Sequence, residues 1–306
     1  MSLPADSELA RHIRDMGHAV GTVVSSASQA LFLPLHAAAP PVQESMATDL
    51  AYGPHARHRL DVHAPTDARG PLRPVLLFVH GGGFVKGDKA IAGSFAHANV
   101  CRWAVRHGFV GARMNYRLAP EAPWPAGGED VGAALQWLRS HVGRHGGDPQ
   151  AIFLFGHSAG AAHVATWLVQ AGSSPAARAG VAGCLLLSGN YDQTIGTPRA
   201  EYYGTDASRF AGQSTVDGLS RSSVPLLLGV AEYDPPDIAR HTARVLAACA
   251  SRDMPLPRFV QAEGHNHYTI THHLGTEDER LGAVLAAFVT RHARHADARP
   301  FPAPQP

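Results

Sequence analysis

Short apolar runs alternate with helix-length stretches along most of this chain, and that alternation limits its fold more than any other feature. The runs are "RLDVHA", "PVLLFVH", "FVGARMNY", "AIFLFG", "GCLLLSG", "PLLLGVAE" and "PRFVQAE". Several are apolar throughout, as a strand buried on both faces of a parallel sheet requires; a strand with one wet face alternates instead. Between them lie "SFAHANVCRWAVRHG", "GEDVGAALQWLRSHVGRHG", "SAGAAHVATWLVQAG", "PDIARHTARVLAACASR" and "EDERLGAVLAAFVTRHARH", with helical periodicity. The pattern predicts an α/β fold: one mostly parallel sheet with helices on both faces. There is no internal repeat and no linker that divides the chain. Three regions follow: an N-terminal cap segment (1–45), one large α/β domain (46–294) and a disordered proline-rich tail (295–306).

Composition narrows the partners. The 306 residues carry 26 basic and 25 acidic side chains, a balance that offers no field to nucleic acid or an anionic membrane. No run is apolar enough to span a bilayer. The stretch "AVGTVVSSASQALFLPLHAAA" follows charged residues and is broken by Ser25, Ser26, Ser28 and Gln29. It reads as an N-terminal helix on the body of the protein and not as a secretion signal. Cys101, Cys184 and Cys249 are far apart and form no CxxC pair, which suggests a reducing, cytoplasmic setting. A small-molecule substrate is the expected partner, with homo-oligomerisation open.

"LFGHSAGAAHVATWL" places Gly156 and Gly160 around Ser158 where a strand becomes a helix. One reading is a capped helix after a glycine turn. The sharper one is a nucleophile elbow: a strained serine whose hydroxyl is lifted out of the sheet, with glycines where side chains would clash. A serine hydroxyl is a weak nucleophile without a base. Carboxylates follow one strand in "GVAEYDPPDI" (Glu232, Asp234, Asp237), and histidines follow the next in "AEGHNHYTI" (His265, His267). Both stand at the carboxyl ends of strands, where sites of α/β sheets assemble. "VLLFVHGGGF" supplies His80–Gly83, a loop that can turn bare backbone N–H groups toward a developing oxyanion. Gly82, Gly83 and the N–H of Ala159 are the expected donors.

With these residues in hand, the chain resembles the α/β-hydrolases of the hormone-sensitive-lipase-like esterase family and their arylformamidase-like relatives. The resemblance runs through "HGGGF", "NYRLAPEAPWPAGGEDVGAALQWL", "GGDPQAIFLFGHSAGA", "YYGTD", "GVAEYDPP" and "GHNHY", in family order over most of residues 75–270. It implies an α/β-hydrolase fold with an N-terminal helical cap, and a serine carboxylesterase acting on small or aryl esters without a cofactor. Ser158 matches the nucleophile, Asp234 the acid, His267 the base, and Gly82, Gly83 and Ala159 the oxyanion hole. Phe84, Leu31 and Phe32 are expected to contact substrate. Three departures bear on substrate class: GHSAG where the lipase-like members commonly have GDSAG, "EYDPPDI" in place of "DPLRDE", and paired histidines in "HNHY". They leave open an arylformamidase-type amide hydrolase, or a catalytically silent ligand-binding relative.

Several residues compete for these roles. His267, which precedes an aromatic, is preferred over His265, and Asp234, directly off its strand, over Asp237. His157 and His163 are read as packed or surface histidines, Glu129, Asp130 and Glu232 as structural, and Asp148 as a turn or cap residue. The 20 histidines include His265, His267, His272 and His273 close together, but no HExxH motif is present and no metal site is expected.

Overall fold

The computed structural model describes residues 7–67, 70–172, 174–252 and 254–296. Eight strands form one sheet among these residues: β1 (Glu44–Ala51), β2 (Arg59–Pro65), β3 (Arg73–Val79), β4 (Val110–Met114), β5 (Gly147–His157), β6 (Val181–Leu187), β7 (Leu226–Tyr233) and β8 (Arg258–Asn266). Their order is β1-β2-β4-β3-β5-β6-β7-β8. β2 pairs antiparallel with both β1 and β4, and every other pairing is parallel. The seven apolar runs are β2 to β8. β1, "ESMATDLA", is absent from that pattern because it is a largely exposed edge strand. Ladder bonds to β2 define it, and its side chains bury little.

Alternate residues of the inner strands feed two cores, as the period of two demands. Val75, Leu77, Val79, Ile152, Leu154, Leu186 and Leu228 face one side. There they meet Val131, Leu135 and Leu138 of α4 (Ala126–His141), Val164 and Leu168 of α5 (Ala159–Ala171), and Val245 of the helix Pro236–Ala250. Leu76, Phe78, Phe153, Phe155, Leu185, Leu187 and Leu227 face the other side. They meet Trp103 of α3 (Ala98–Arg106) and Leu281, Leu285 and Val289 of the helix Arg280–Ala296. That last helix takes in the first two residues of the expected tail; residues 297–306 lie outside the described residues.

Two buried carboxylates pin the loops that rise from the sheet. Asp61 of β2 accepts hydrogen bonds from Lys89 Nζ (2.7 Å) and Arg113 Nε (2.9 Å). Asp130 of α4 accepts from the Arg117 backbone N–H (2.7 Å) and Nε (2.8 Å), with His58 Nε2 at 3.0 Å. Glu129 meets the same guanidinium at 3.0 Å from a more exposed position, and Asp148 Oδ1 accepts from the Gln150 N–H in a turn. Burial opposes ionisation of Asp61, but Lys89, the Asp49 N–H and Arg113 outweigh it and hold its pKa low. Such charges are tolerable inside only because each is fully partnered.

The N-terminal segment forms α1 (Glu8–Met16) and α2 (Thr22–Ala38), which lie against loops at the carboxyl edge of the sheet. His18 Nδ1 is 2.7 Å from the Asp234 carbonyl, Gly21 N–H donates to Tyr268 Oη (2.8 Å), and His36 Nε2 is 2.7 Å from the His272 carbonyl. Ile13 and Phe32, both almost fully buried, pack with Phe95 and Ala96 from the loop after β3, and Leu31 packs against this cluster. Burial of such side chains contributes roughly 1.5–3 kcal/mol each, which is what fixes the two helices onto the body. Leu33 and Leu35 are exposed. Among the described residues no helix is long and apolar enough to cross a membrane.

Candidate active site

β5 ends at His157, and α5 begins at Ala159. Ser158 between them has φ 55° and ψ −122°, in the left-handed half of the map that a side chain disfavours. The glycines make that turn possible. A Cβ on Gly160 would sit 2.0 Å from the Val79 carbonyl oxygen, and one on Gly156 would sit 2.5 Å from the Ala161 Cα. The backbone of β3 and the first turn of α5 therefore exclude side chains at both positions.

The serine meets the two loops that follow β7 and β8. Ser158 Oγ is 2.9 Å from His267 Nε2, and His267 Nδ1 is 2.7 Å from Asp234 Oδ1. An ionised carboxylate only accepts, so Nδ1 carries the proton, Nε2 is the acceptor, and the serine O–H donates to it. Burial alone raises the pKa of Asp234, but the hydrogen bonds from His267, Ser188 Oγ (2.6 Å) and the Ala231 N–H (2.7 Å) reverse that and hold it below the ordinary value. Asp234 therefore stays an anion facing His267 across the neutral range.

The loop after β3 lies against the serine from the other side. A Cβ on Gly81 would be 3.0 Å from Ser158 Cβ. Gly82 has φ 140°, and any side chain there would strike the Lys86 carbonyl oxygen at 1.9 Å, in a turn closed by the Lys86 N–H to Gly82 oxygen bond (3.2 Å). The Gly82 and Gly83 N–H groups take no acceptor among the described residues. Ala159 is the first residue of α5, so its N–H has no partner within the helix. His80 Nδ1 is 2.6 Å from the Gly81 carbonyl, and Tyr116 Oη donates to the His80 carbonyl (2.9 Å). These two side chains stack at 4.5 Å and brace the loop from below.

Phe84, with φ 72°, closes one flank. It stacks on Tyr202 at 4.4 Å and meets Tyr203 edge-on, in a cluster that includes Ala159 and Ala162. Leu31 and Phe32 belong to the cluster that docks the N-terminal helices on Phe95 and Ala96, with Tyr233 packed against it.

The rival residues are accounted for separately. His265 pairs with Asp278 Oδ2 (3.2 Å) and stacks on His273 at 4.0 Å. Asp237 is half-exposed in the first turn of its helix and pairs with Arg240. Glu232 Oε2 accepts from the Gly264 N–H. His163 lies beneath Phe84, its Nδ1 3.1 Å from Tyr202 Oη. The histidines of "GHNHYTITHH" are thus turned to different partners, and no group of three or more His, Cys, Asp or Glu among the described residues is placed to hold a metal ion. Sequence reasoning missed Ser188, which holds the second oxygen of Asp234; a serine directly after the buried run "LLL" was the available signal. It read His157 as a packed or surface histidine; its Nε2 donates to the His267 carbonyl at 2.8 Å.

An alpha/beta hydrolase fold family profile matches residues 76–259. Esterase LipC of Mycobacterium tuberculosis is 39% identical over 109 residues, 36% of this chain and 26% of that protein. Carboxylesterase NlhH of the same species is 41% identical over 100 residues, 32% of this chain and 30% of that protein. The matched segment thus spans less than a third of either relative. An esterase of Pyrobaculum calidifontis, solved in a monoclinic form, superposes with TM-score 0.70 over 95% of this chain and 99% of its own, at 23% identity, which speaks to the fold. With strand, elbow and glycine loop all inside the matched segment, this chain belongs to the alpha/beta hydrolase fold family.

Proposed function

We propose that the protein is a serine carboxylesterase that hydrolyses small or aryl carboxylic esters through an acyl-enzyme on Ser158. The observation that carries this reading is the relay from Ser158 Oγ to His267 Nε2 and from Nδ1 to Asp234, next to the glycine loop. Attack of Oγ on the ester carbonyl passes the serine proton to Nε2, and Asp234 stabilises the imidazolium that forms. The carbonyl oxygen becomes an anion within reach of the Gly82, Gly83 and Ala159 N–H groups. His267 then protonates the departing alkoxide as the C–O bond breaks. Water, deprotonated by the same imidazole, attacks the acyl-enzyme and releases the acid with Ser158 restored. No cofactor enters this scheme. The names of the matched relatives, esterase and carboxylesterase, support it.

The test is labelling by a fluorophosphonate probe with the modified peptide located by mass spectrometry, together with hydrolysis of p-nitrophenyl acetate and butyrate. Modification of Ser158 and turnover of both esters are expected. Modification with turnover of N-formylkynurenine but of neither ester would move the reading to an amide hydrolase. Absence of both labelling and turnover would overturn it.

A further inference from the structure

The glycine loop has an unassigned cation beside it. A Cβ on Gly83 would lie 3.1 Å from an Arg199 guanidinium nitrogen, so the guanidinium occupies the space that the missing side chain leaves. The Arg199 backbone is fixed by two hydrogen bonds. Its carbonyl accepts from the Tyr202 N–H (3.0 Å) and the Tyr203 N–H (2.8 Å), and both rings pack on Phe84, the residue after Gly83. The arginine and the loop are thus two sides of one aromatic cluster.

The charge is available. Among the described residues, the carboxylate that pairs with Arg199 is Glu201 at 3.8 Å, and both side chains are about half exposed, 47% and 48%. An exposed pair at that distance is worth little and yields readily to a better-placed anion. Lys86, on the same loop, is exposed and bonds Thr22 Oγ1 at 3.2 Å, with no ion pair among the described residues. The Arg199 cation therefore stands beside Gly83, where a neutral ester needs none, and the same loop carries a second cation on Lys86.

Geometry limits what they could hold. Standard covalent lengths put the guanidinium nitrogen no more than about 6 Å from the Gly83 nitrogen. One hydrogen bond of about 3 Å from that N–H to a carbonyl oxygen leaves the cation within about 9 Å of the scissile group. A guanidinium presents a planar fork that matches a carboxylate. Resting on the esterase reading above, we propose that Arg199 is a specificity-determining residue that binds a free carboxylate on the substrate. The preferred substrates are then half-esters of short dicarboxylic acids, with two or three carbons between the two carbonyl groups.

The test compares p-nitrophenyl hemisuccinate with p-nitrophenyl isocaproate, in which an isopropyl group replaces the carboxylate. In the unsubstituted enzyme kcat/KM is expected to favour the half-ester. Arg199→Gln should lower the half-ester to isocaproate ratio about tenfold, as loss of a charge-assisted contact does, and Arg199→Lys should restore part of it. A ratio unmoved by Arg199→Gln overturns the inference while leaving the esterase reading intact. If neither ester turns over, and neither p-nitrophenyl acetate nor butyrate does, the esterase reading fails. Binding then decides the inference: in Ser158→Ala, dissociation constants of both esters are measured by calorimetry with and without Arg199→Gln. A half-ester affinity that Arg199→Gln weakens about tenfold relative to isocaproate supports the carboxylate site, and an equal effect on both removes it.

Discussion

The His267 carbonyl oxygen accepts a 2.8 Å hydrogen bond from His157 Nε2, so the residue just before the candidate nucleophile holds the backbone of the candidate base. His157 ends β5, and His267 follows β8, on opposite sides of β6 and β7 in the sheet. Their rings lie 5.0 Å apart. Burial first of all drives the His157 pKa down to about 3, so the ring stays neutral and the strut persists through the mildly acidic range.

His157→Leu removes that donor and leaves a buried carbonyl unpaired. Displacement of a reacting group by about 1 Å can cost roughly a hundredfold in rate. A kcat lower by about ten- to a hundredfold is expected, with a smaller change in KM. A kcat within twofold of the unsubstituted enzyme would show that the strut does not position His267.

Ser158→Ala should abolish turnover while the protein stays folded, because the hydroxyl points out of the sheet. Residual activity above about a thousandth would count against a nucleophilic role. Asp234→Asn should lower kcat by about four orders of magnitude through loss of imidazole orientation. Asp237→Asn, at a half-exposed helix end paired with Arg240, should do neither. The reverse outcome for the two aspartates would reassign the acid.

Stability should fall on mild acidification. Burial lowers the pKa of His80 and His272 to about 4 and of His157 and His163 to about 3, from 6.5. Between about pH 6.5 and 4 the unfolded chain binds protons at these positions and the folded chain does not. Unfolding is therefore favoured progressively as pH drops, and the stability these groups contribute is complete only above 6.5. A melting temperature that is level from pH 8 to 7 and lower by more than about 10 °C at pH 5 is expected. Equal melting temperatures at pH 8 and 5 would contradict it.

The N-terminal helices should tune the substrate preference. They touch the loops that carry Asp234 and His267, through His18 and Gly21. Removing residues 1–38 is expected to raise KM and shift the preferred acyl length across a p-nitrophenyl ester series. A folded truncation with unchanged preference would exclude a role for this segment at the site.

What could be read without coordinates was local. The apolar runs anticipate β2 to β8, because most of these strands are buried on both faces and so carry few polar side chains. The elbow is equally local: Gly156, Ser158 and Gly160 reflect crowding within one turn and against the neighbouring strand. β1 escaped notice because a wet edge strand is defined by its ladder and not by its composition. Only the tertiary structure placed His267, 109 residues from Ser158 in sequence, at hydrogen-bonding distance from it. It also turned His265, two residues earlier, toward Asp278. Both histidines stand at the end of one strand, and sequence spacing cannot say which way each ring faces. The same holds for His157, Ser188 and Arg199, whose partners come from distant loops. Parallel strand order brings those loops to one edge, and that order is a property of long-range pairing that no local pattern encodes.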